Sequence, residues 1–155
     1  MTTVERHIDI DVPVRVAYDQ WTQFEEFPTF MDGIESVTQL DDKRLHWVAE
    51  VGGARREWDA EITEQHPDHR IAWRSVDGTE NAGVVTFHRL DDNQTRVMVQ
   101  IEHEPEGLVE KAGSALGFDD RRVKGDMKRF KELIEQRGAS TDGWRGDVAN
   151  PDDRA

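Results

Sequence analysis

Apolar and polar residues alternate along most of the first two thirds of the chain, and this period of two predicts β-strands half-buried against a core. In the first stretch, residues 7–12, the apolar residues Ile8, Ile10 and Val12 share one face. Six more such stretches follow, at 34–40, 44–51, 56–64, 70–76, 82–90 and 95–104. Short turn signals such as Gly52-Gly53 separate them, so the sequence predicts an antiparallel meander rather than strands joined by helices.

Helical spacing replaces this alternation between the first and second strands. Directly after Pro13, which the first turn of a helix tolerates, apolar residues recur three and four positions apart; they are Val14, Ala17, Tyr18 and Trp21. Three phenylalanines continue at a spacing of three, namely Phe24, Phe27 and Phe30. Pro28 is expected to end any helix near Phe27, because the residue before a proline avoids the helical region. The sequence therefore predicts two short helices after the first strand.

A longer helix is predicted after the last strand. Its apolar positions form one stripe at spacings of three, four and seven residues: Val109, Ala112, Leu116, Val123, Met127, Phe130 and Ile134. Gly117 lies in this run and favours a bend or break near residues 117–120, because glycine weakens a helix interior. Gly138 is the expected C-terminal cap. Residues 139–155 are rich in Gly, Asp, Ser and Thr, so we expect a single domain of residues 1–138 followed by a disordered acidic tail.

The apolar face of the predicted sheet needs a cover, and the long C-terminal stripe is the element large enough to provide it. The expected fold class is therefore α+β, with a curved antiparallel sheet of seven strands packed against one long C-terminal helix. Three consecutive strands place a large ring on this face with a small residue beside it: Trp47, Trp58 and Trp73, with Ala49, Ala60 and Ser75. Such an arrangement either encloses a hollow for a ligand or is filled by the rings themselves.

Composition narrows the functions that suit this fold. The 33 acidic and 20 basic residues give a formal charge of −13, which argues against binding to nucleic-acid phosphates or to anionic membranes. The chain has no cysteine, which excludes disulfides, thiolate metal sites and a cysteine nucleophile. No apolar run approaches the roughly 20 residues of a membrane span, and the N-terminus has no apolar leader segment. We therefore expect a cytoplasmic protein without membrane insertion.

Standard catalytic and phosphate-binding motifs are absent from the sequence. His66 and His69 flank a predicted turn and have no evident third ligand, so neither a metal nor a cofactor is expected. Four polar residues share the apolar phase of their strands: Arg56, Ser75, Arg89 and His103. An inward arginine could hold a carboxylate or polarise a carbonyl, and an inward histidine could move a proton. The alternative is that these strand-end side chains turn to the rim and to solvent.

Six segments carry a resemblance to a known family: Asp11–Val14, Ala17–Trp21, Phe24–Met31, Ile71–Ser75, Asn81–Phe87 and Thr95–Val97. Together they resemble the polyketide cyclase/dehydrase and coenzyme Q-binding branch of the START-like (Bet v 1-like, SRPBCC) superfamily, over residues 3–137. The resemblance implies a helix-grip fold, in which a seven-stranded antiparallel sheet wraps around a long C-terminal helix. It also implies a cavity for a hydrophobic small molecule. It does not fix one activity, because members include aromatase/cyclases as well as lipid and quinone carriers.

The leading interpretation is a binder or carrier of a small hydrophobic molecule, such as a lipid, a quinone or a polyketide-like aromatic. Strand parity and the helix stripe predict a site between the sheet and the C-terminal helix, lined by Trp47, Trp58, Trp73, Val85, Phe87, Val99, Ile101 and Leu116. The candidate orienting groups are Arg56, Ser75 and His103. Two alternatives stay open: a polyketide aromatase/cyclase, and an interaction or stress-response module with a collapsed cavity.

Overall fold

Seven strands of the computed structural model form one antiparallel sheet: β1 (Thr2–Ile10), β2 (Ile34–Gln39), β3 (Arg44–Val51), β4 (Ala54–His66), β5 (Arg70–Gly78), β6 (Asn81–Asp91) and β7 (Gln94–His103). Their order across the sheet is β1-β7-β6-β5-β4-β3-β2. Every neighbouring pair except β1 and β7 is therefore consecutive in the chain, as expected of a meander. The structure describes residues 2–31, 33–51, 53–78, 81–103 and 120–138.

The α+β helix-grip architecture predicted from the sequence is confirmed. The main difference in strand limits concerns β1, which begins at Thr2 and not at residue 7. Val4 is the one aliphatic residue in its first five positions, so the sequence shows no alternation there. The backbone nevertheless pairs with β7 along the whole strand, with Val4 opposite Ile101.

Bulges bend the sheet into a curved surface. The pairing register shifts between Ile34 and Ser36 in β2, and between Ile62 and Glu64 in β4. An extra residue in one strand bends that strand and increases its twist. The second shift also changes which residues face inward, because Gln65 beyond it is only 1% exposed. The concave side collects the apolar residues of the alternating pattern, and this side becomes the core.

Both short helices predicted after the first strand are present. Helix α1 spans Val14–Trp21 and is followed by a 3₁₀ helix at Phe24–Thr29. The prediction that Pro28 ends the helix near Phe27 was wrong, because Pro28 lies inside the 3₁₀ helix. The backbone N–H groups of Phe30 and Met31 both donate to the Phe27 carbonyl, at 3.1 and 2.8 Å, and so close the turn around the proline.

The C-terminal helix, α2, spans Asp120–Arg137 in the described residues. The predicted apolar stripe is buried along it: Val123, Met127, Phe130 and Ile134 are at most 4% exposed. Gly138 forms the expected cap, with a φ of 70° and an N–H that donates to the Ile134 carbonyl at 2.8 Å. The predicted stripe residues at 109–116, the bend near 117–120 and the tail at 139–155 lie outside or at the limit of the described residues. No helix in the described ranges is both long and apolar enough to cross a membrane.

Polar contacts fix α2 against the end of β1. Lys131 Nζ donates to the Asp9 carbonyl at 2.9 Å, and the Asp11 N–H donates to Glu135 Oε2 at 2.8 Å. Lys131 and Glu135 also pair with each other at 2.6 Å. The contacts with Asp9 and Asp11 join residues more than 120 positions apart, and they set where the helix crosses the concave face.

Aromatic rings connect the helices to one another and to the sheet. The ring centroid of Phe130 on α2 lies 5.0 Å from that of Trp21 on α1 and 5.1 Å from that of Phe30. Trp21 in turn lies 6.4 Å from Phe87 on β6. Such edge and tilted contacts between buried rings add to the stabilisation that their area alone provides.

Replacement of Phe130 by alanine is expected to lower the free energy of unfolding by about 3–5 kcal/mol, because the cavity left among Trp21 and Phe30 cannot close fully. Urea denaturation followed by circular dichroism would measure the change. Lys128→Ala, an exposed position on the same helix, should change stability by less than about 0.5 kcal/mol. Equal stability of Phe130→Ala and the wild type would contradict the role of α2 as the cover of the sheet.

His46 lies between two carboxylates on the convex side of the sheet. Its Nδ1 is 2.6 Å from Asp59 Oδ1, and its Nε2 is 3.1 Å from Glu57 Oε1. The hydrogen bond to Asp59, followed by that to Glu57, raises the pKa of His46 above its ordinary value of 6.5. Both ring nitrogens can donate only when the imidazole is protonated, so the folded state favours the charged ring.

His46→Gln is expected to remove stability in a pH-dependent way. Since the pKa of His46 is raised by folding, its contribution is fully present below the unfolded-state pKa of about 6.5 and is lost as the pH rises through the folded-state pKa. The difference in melting temperature between wild type and variant should therefore be largest near pH 5.5 and shrink towards pH 9. A difference that stays constant across this range would show that the ring's charge contributes nothing.

Candidate functional site

An apolar cavity lies between the concave face of the sheet, the 3₁₀ helix and α2. Fourteen described residues line it: Trp21, Phe24, Phe27, Phe30, Met31, Leu45, Trp47, Ile71, Trp73, Val99, Ile101, Val123, Asp126 and Met127. Asp126 is the one ionisable residue among them. The wall is therefore suited to apolar and aromatic groups rather than to a charged ligand.

The cavity is narrow in this structure, with a volume of about 40 Å³. A single water needs roughly 10–15 Å³ of such space, and sites for drug-sized ligands usually measure about 300–1,000 Å³. The cavity as it stands therefore has room for only a few waters. A larger ligand must displace lining side chains, among which Met31 and Trp73 are only half-buried.

The strand period explains how the sheet side of the wall forms. Leu45 and Trp47 on β3, Ile71 and Trp73 on β5, and Val99 and Ile101 on β7 are pairs two residues apart, so both members of each pair face inward. The 3₁₀ helix covers one end with its phenylalanine rings, and Val123 and Met127 of α2 cover the top. In the sequence, Ile101 precedes and Val123 follows residues 104–119, which lie outside the described residues.

Four of the sequence-predicted site residues line the cavity together: Trp47, Trp73, Val99 and Ile101. Trp58, Val85 and Phe87 are buried in the same core but do not reach the cavity wall. The Trp58 ring stacks behind Trp47, with a centroid distance of 5.7 Å and an interplanar angle of 8°. The Phe87 ring packs against Tyr18 at 5.3 Å. Leu116 lies outside the described residues.

The predicted orienting groups are not part of the described cavity wall. Ser75 Oγ accepts a hydrogen bond from the Asn81 N–H at 3.0 Å, which directs it to the end of β6. Arg56 is half-buried opposite Ala49 on β3, with its Nε buried. The backbone of His103 pairs with Asn81, and its side chain lies outside the described residues. Arg89 is exposed and pairs with Asp92 near the turn before β7.

Ten lining residues were not named in the sequence-based prediction of the site. For Leu45 and Ile71 the signal was present, because each shares a strand face with a predicted tryptophan. For Trp21 and the three phenylalanines the sequence showed the helical spacing but not which end of the sheet the helices would cover. The sequence does not single out Asp126, because it is a polar residue that lies between the stripe positions Val123 and Met127 of α2.

A single arginine connects the two helical walls of the cavity. Arg129 Nε on α2 donates to the Phe30 carbonyl at 2.8 Å, and its Nη2 lies 2.5 Å from Asp126 Oδ1. The Asp126 side chain is 13% exposed, so its carboxylate at the cavity wall is largely covered and its charge is balanced by this contact. The arrangement leaves the cavity without an uncompensated charge.

One polar group of the wall lacks a hydrogen bond. Trp47 is 4% exposed, and its Nε1 is buried without an acceptor among the described residues. A buried donor left in this state costs about 1–3 kcal/mol, so a bound molecule that supplied an acceptor would recover part of that free energy. In the described ranges, no group of three or more His, Asp or Glu side chains could hold a metal ion.

Comparison with known proteins identifies the family to which the chain belongs. Residues 10–132 match the model of a family described as polyketide cyclase/dehydrase and lipid transport. A relative from Streptomyces lincolnensis, described as an uncharacterized 17.2 kDa protein in the melC2-rnhH intergenic region, is 56% identical over 149 residues. That alignment covers 96% of this chain and 99% of the relative.

Solved structures share the fold. A protein of Deinococcus radiodurans is 30% identical with a TM-score of 0.72, covering 88% of this chain and 99% of that one. A START superfamily protein of Mycobacterium smegmatis is 13% identical with a TM-score of 0.65, covering 87% and 95%. The Zhui aromatase/cyclase of a Streptomyces species is 15% identical with a TM-score of 0.70, covering 92% and 99%. At such low identity the last two show the fold alone.

Proposed function

Because the chain belongs to the polyketide cyclase/dehydrase and lipid transport family, which agrees with the resemblance seen in the sequence, we propose that it binds and carries a small hydrophobic molecule between its sheet and α2. The observation that carries the proposal is the cavity wall, in which thirteen of the fourteen described residues are apolar or aromatic. Apolar walls with few polar groups are typical of ligand sites. The small volume means that the ligand enters by displacing side chains of the wall.

The scarcity of polar groups among the described residues of the cavity wall favours carriage over catalysis. Cyclisation of a poly-β-ketone chain needs a group that moves a proton or stabilises an enolate within hydrogen-bond reach of the substrate. Among the described lining residues only Asp126 is ionisable, and Arg129 occupies it. Ser75, the hydroxyl suggested by the sequence, does not line the described cavity wall and accepts a hydrogen bond from the Asn81 N–H. Aromatase/cyclase activity is therefore the second candidate function.

Trp47 narrows the chemistry of the ligand. Its N–H has no acceptor among the described residues, which supports a ligand with a hydrogen-bond acceptor, such as a ketone or quinone carbonyl, over a pure hydrocarbon. The rings of Phe27 and Trp47, 5.6 Å apart, support a planar aromatic body, because rings prefer tilted or offset contact with other rings. Of a lipid, a quinone and a polyketide-like aromatic, the latter two suit this wall better.

Equilibrium dialysis with 2-acetylnaphthalene tests the proposed site. Wild type should bind this two-ring ketone saturably at one site per chain. Val99→Phe should reduce the affinity at least tenfold, because the larger ring fills the cavity. The matched control is Val76→Phe on β5, where the side chain is 37% exposed and away from the wall, and its affinity should equal that of wild type. Absence of saturable binding to wild type, or equal binding by Val99→Phe, would contradict the proposal.

A second comparison tests the role of the Trp47 N–H. Trp47→Phe keeps a ring but removes the donor, so it should lower the affinity for 2-acetylnaphthalene about two- to tenfold, as expected for the loss of one hydrogen bond. The second ligand, 2-ethylnaphthalene, has no acceptor. Its affinity should therefore fall only slightly in Trp47→Phe, by about as much as in the control Trp58→Phe. If both ligands lose affinity equally in Trp47→Phe, the N–H does not contact the ligand and only ring packing changes.

A further inference from the structure

Three cross-strand neighbours form a row across the concave face beside the cavity. Trp73 on β5 lies opposite Gly83 on β6, and Gly83 lies opposite Ile101 on β7. Trp73 and Ile101 both line the cavity. Gly83 therefore leaves a gap in the row between two wall residues.

The indole of Trp73 occupies that gap. A Cβ atom at position 83 would lie 2.5 Å from Trp73 Cζ2, 2.9 Å from Trp73 Cη2 and 3.0 Å from the Gln100 carbonyl oxygen. Non-bonded carbon atoms prefer separations of about 3.5–4.0 Å, so any residue other than glycine would force the ring to move by about 1 Å. The backbone does not itself demand glycine here, because Gly83 is not among the described glycines with positive φ. The requirement is for space.

We propose that Gly83 is a positioning residue that sets the size of the ligand cavity by giving the Trp73 indole a place against β6. The inference rests on the proposed function, because the space concerned is the ligand site. Two of the directions in which the ring could yield are closed. The β6 backbone at Gly83 lies against it, and Ile62, its cross-strand neighbour on β4, is 1% exposed and so has little room to move.

Trp73 is itself half-buried, and of the directions left to its ring the one away from the sheet leads into the cavity, towards Val123 and Met127 of α2. A side chain at position 83 would lift the indole into a cavity of only about 40 Å³. The wall would then have to yield further than in wild type before a ligand as wide as two fused rings could enter. Gly83 thus selects for ligand width although it does not itself line the cavity.

Equilibrium dialysis with 2-acetylnaphthalene, on the full chain, tests this role. Gly83→Ala should bind at least tenfold more weakly than wild type. The double variant Gly83→Ala/Trp73→Leu should recover affinity, because the smaller side chain no longer meets the new Cβ. The matched control is Val84→Ile, the next position along β6, which adds a methyl group to a residue that does not line the cavity and where affinity should stay within twofold of wild type.

The position of the ring can be read without a ligand. In wild type, nuclear Overhauser contacts should join the Trp73 ring protons to the Gly83 Hα protons, which should be shifted by the ring current and should lose that shift in Trp73→Leu. Absence of these signals would overturn the proposal, as would Gly83→Ala binding within twofold of wild type, or a double variant that binds no better than Gly83→Ala. Failure of wild type to bind the probe would instead overturn the proposed function, and the cavity-sizing role with it. Circular dichroism melts establish that each variant is folded.

Discussion

The burial of the Trp21 indole is the interaction on which the other elements depend. Trp21 ends α1, is 4% exposed and reaches three elements at once. Its centroid lies 5.5 Å from Phe27 of the 3₁₀ helix, 6.4 Å from Phe87 of the sheet and 5.0 Å from Phe130 of α2. A ring of this size buries roughly 150–250 Å², more than any aliphatic side chain could offer at such a junction. Because the same indole lines the cavity, the contact that assembles the fold also fixes one wall of the site.

The two faces of the sheet divide the chemistry of the chain. Charged groups are paired on the outside and along the edges, as in the contact of Arg96 Nε with Asp9 Oδ1 at 2.8 Å, which lowers the pKa of Asp9. The concave face keeps its charges few and compensated, as Asp126 and Arg129 illustrate. The formal charge of −13 therefore resides mainly where water solvates it, and the cavity stays apolar in a very acidic protein.

Much of the fold could be predicted because the strand period is local information. Each alternating stretch specifies its own inward face, and so Trp47, Trp73, Val99 and Ile101 could be grouped from the sequence. Two features broke that reasoning. The bulge between Ile62 and Glu64 changes the inward phase of β4, and no residue pattern marks it. Parity also could not show which of the cross-strand partners Trp47 and Trp58 reaches the cavity, because both residues share the inward face.

The helical part of the wall could be predicted as secondary structure but not as geometry. Spacing gives α1 and the described part of the apolar stripe of α2, and these residues are buried as expected apart from the half-buried Val14. Where the 3₁₀ helix lies depends on long-range contacts, such as the donation from Arg129 to the Phe30 carbonyl across 99 positions of sequence. The role of Gly83 also depends on a contact that the sequence does not show. A glycine in a strand can mark a bulge, a bend or a close approach, and only the position of the Trp73 ring decides between them.

The narrowness of the cavity also affects the rates of ligand uptake and release. A site that must open before it fills takes up its ligand at a rate set by the protein's own fluctuation, and the rate then becomes independent of ligand concentration once that concentration is high. The reverse step meets the same barrier, because the rings of Phe27, Phe30 and Trp73 must part again before the ligand leaves. A carrier of this design would retain its cargo through slow release even at moderate affinity.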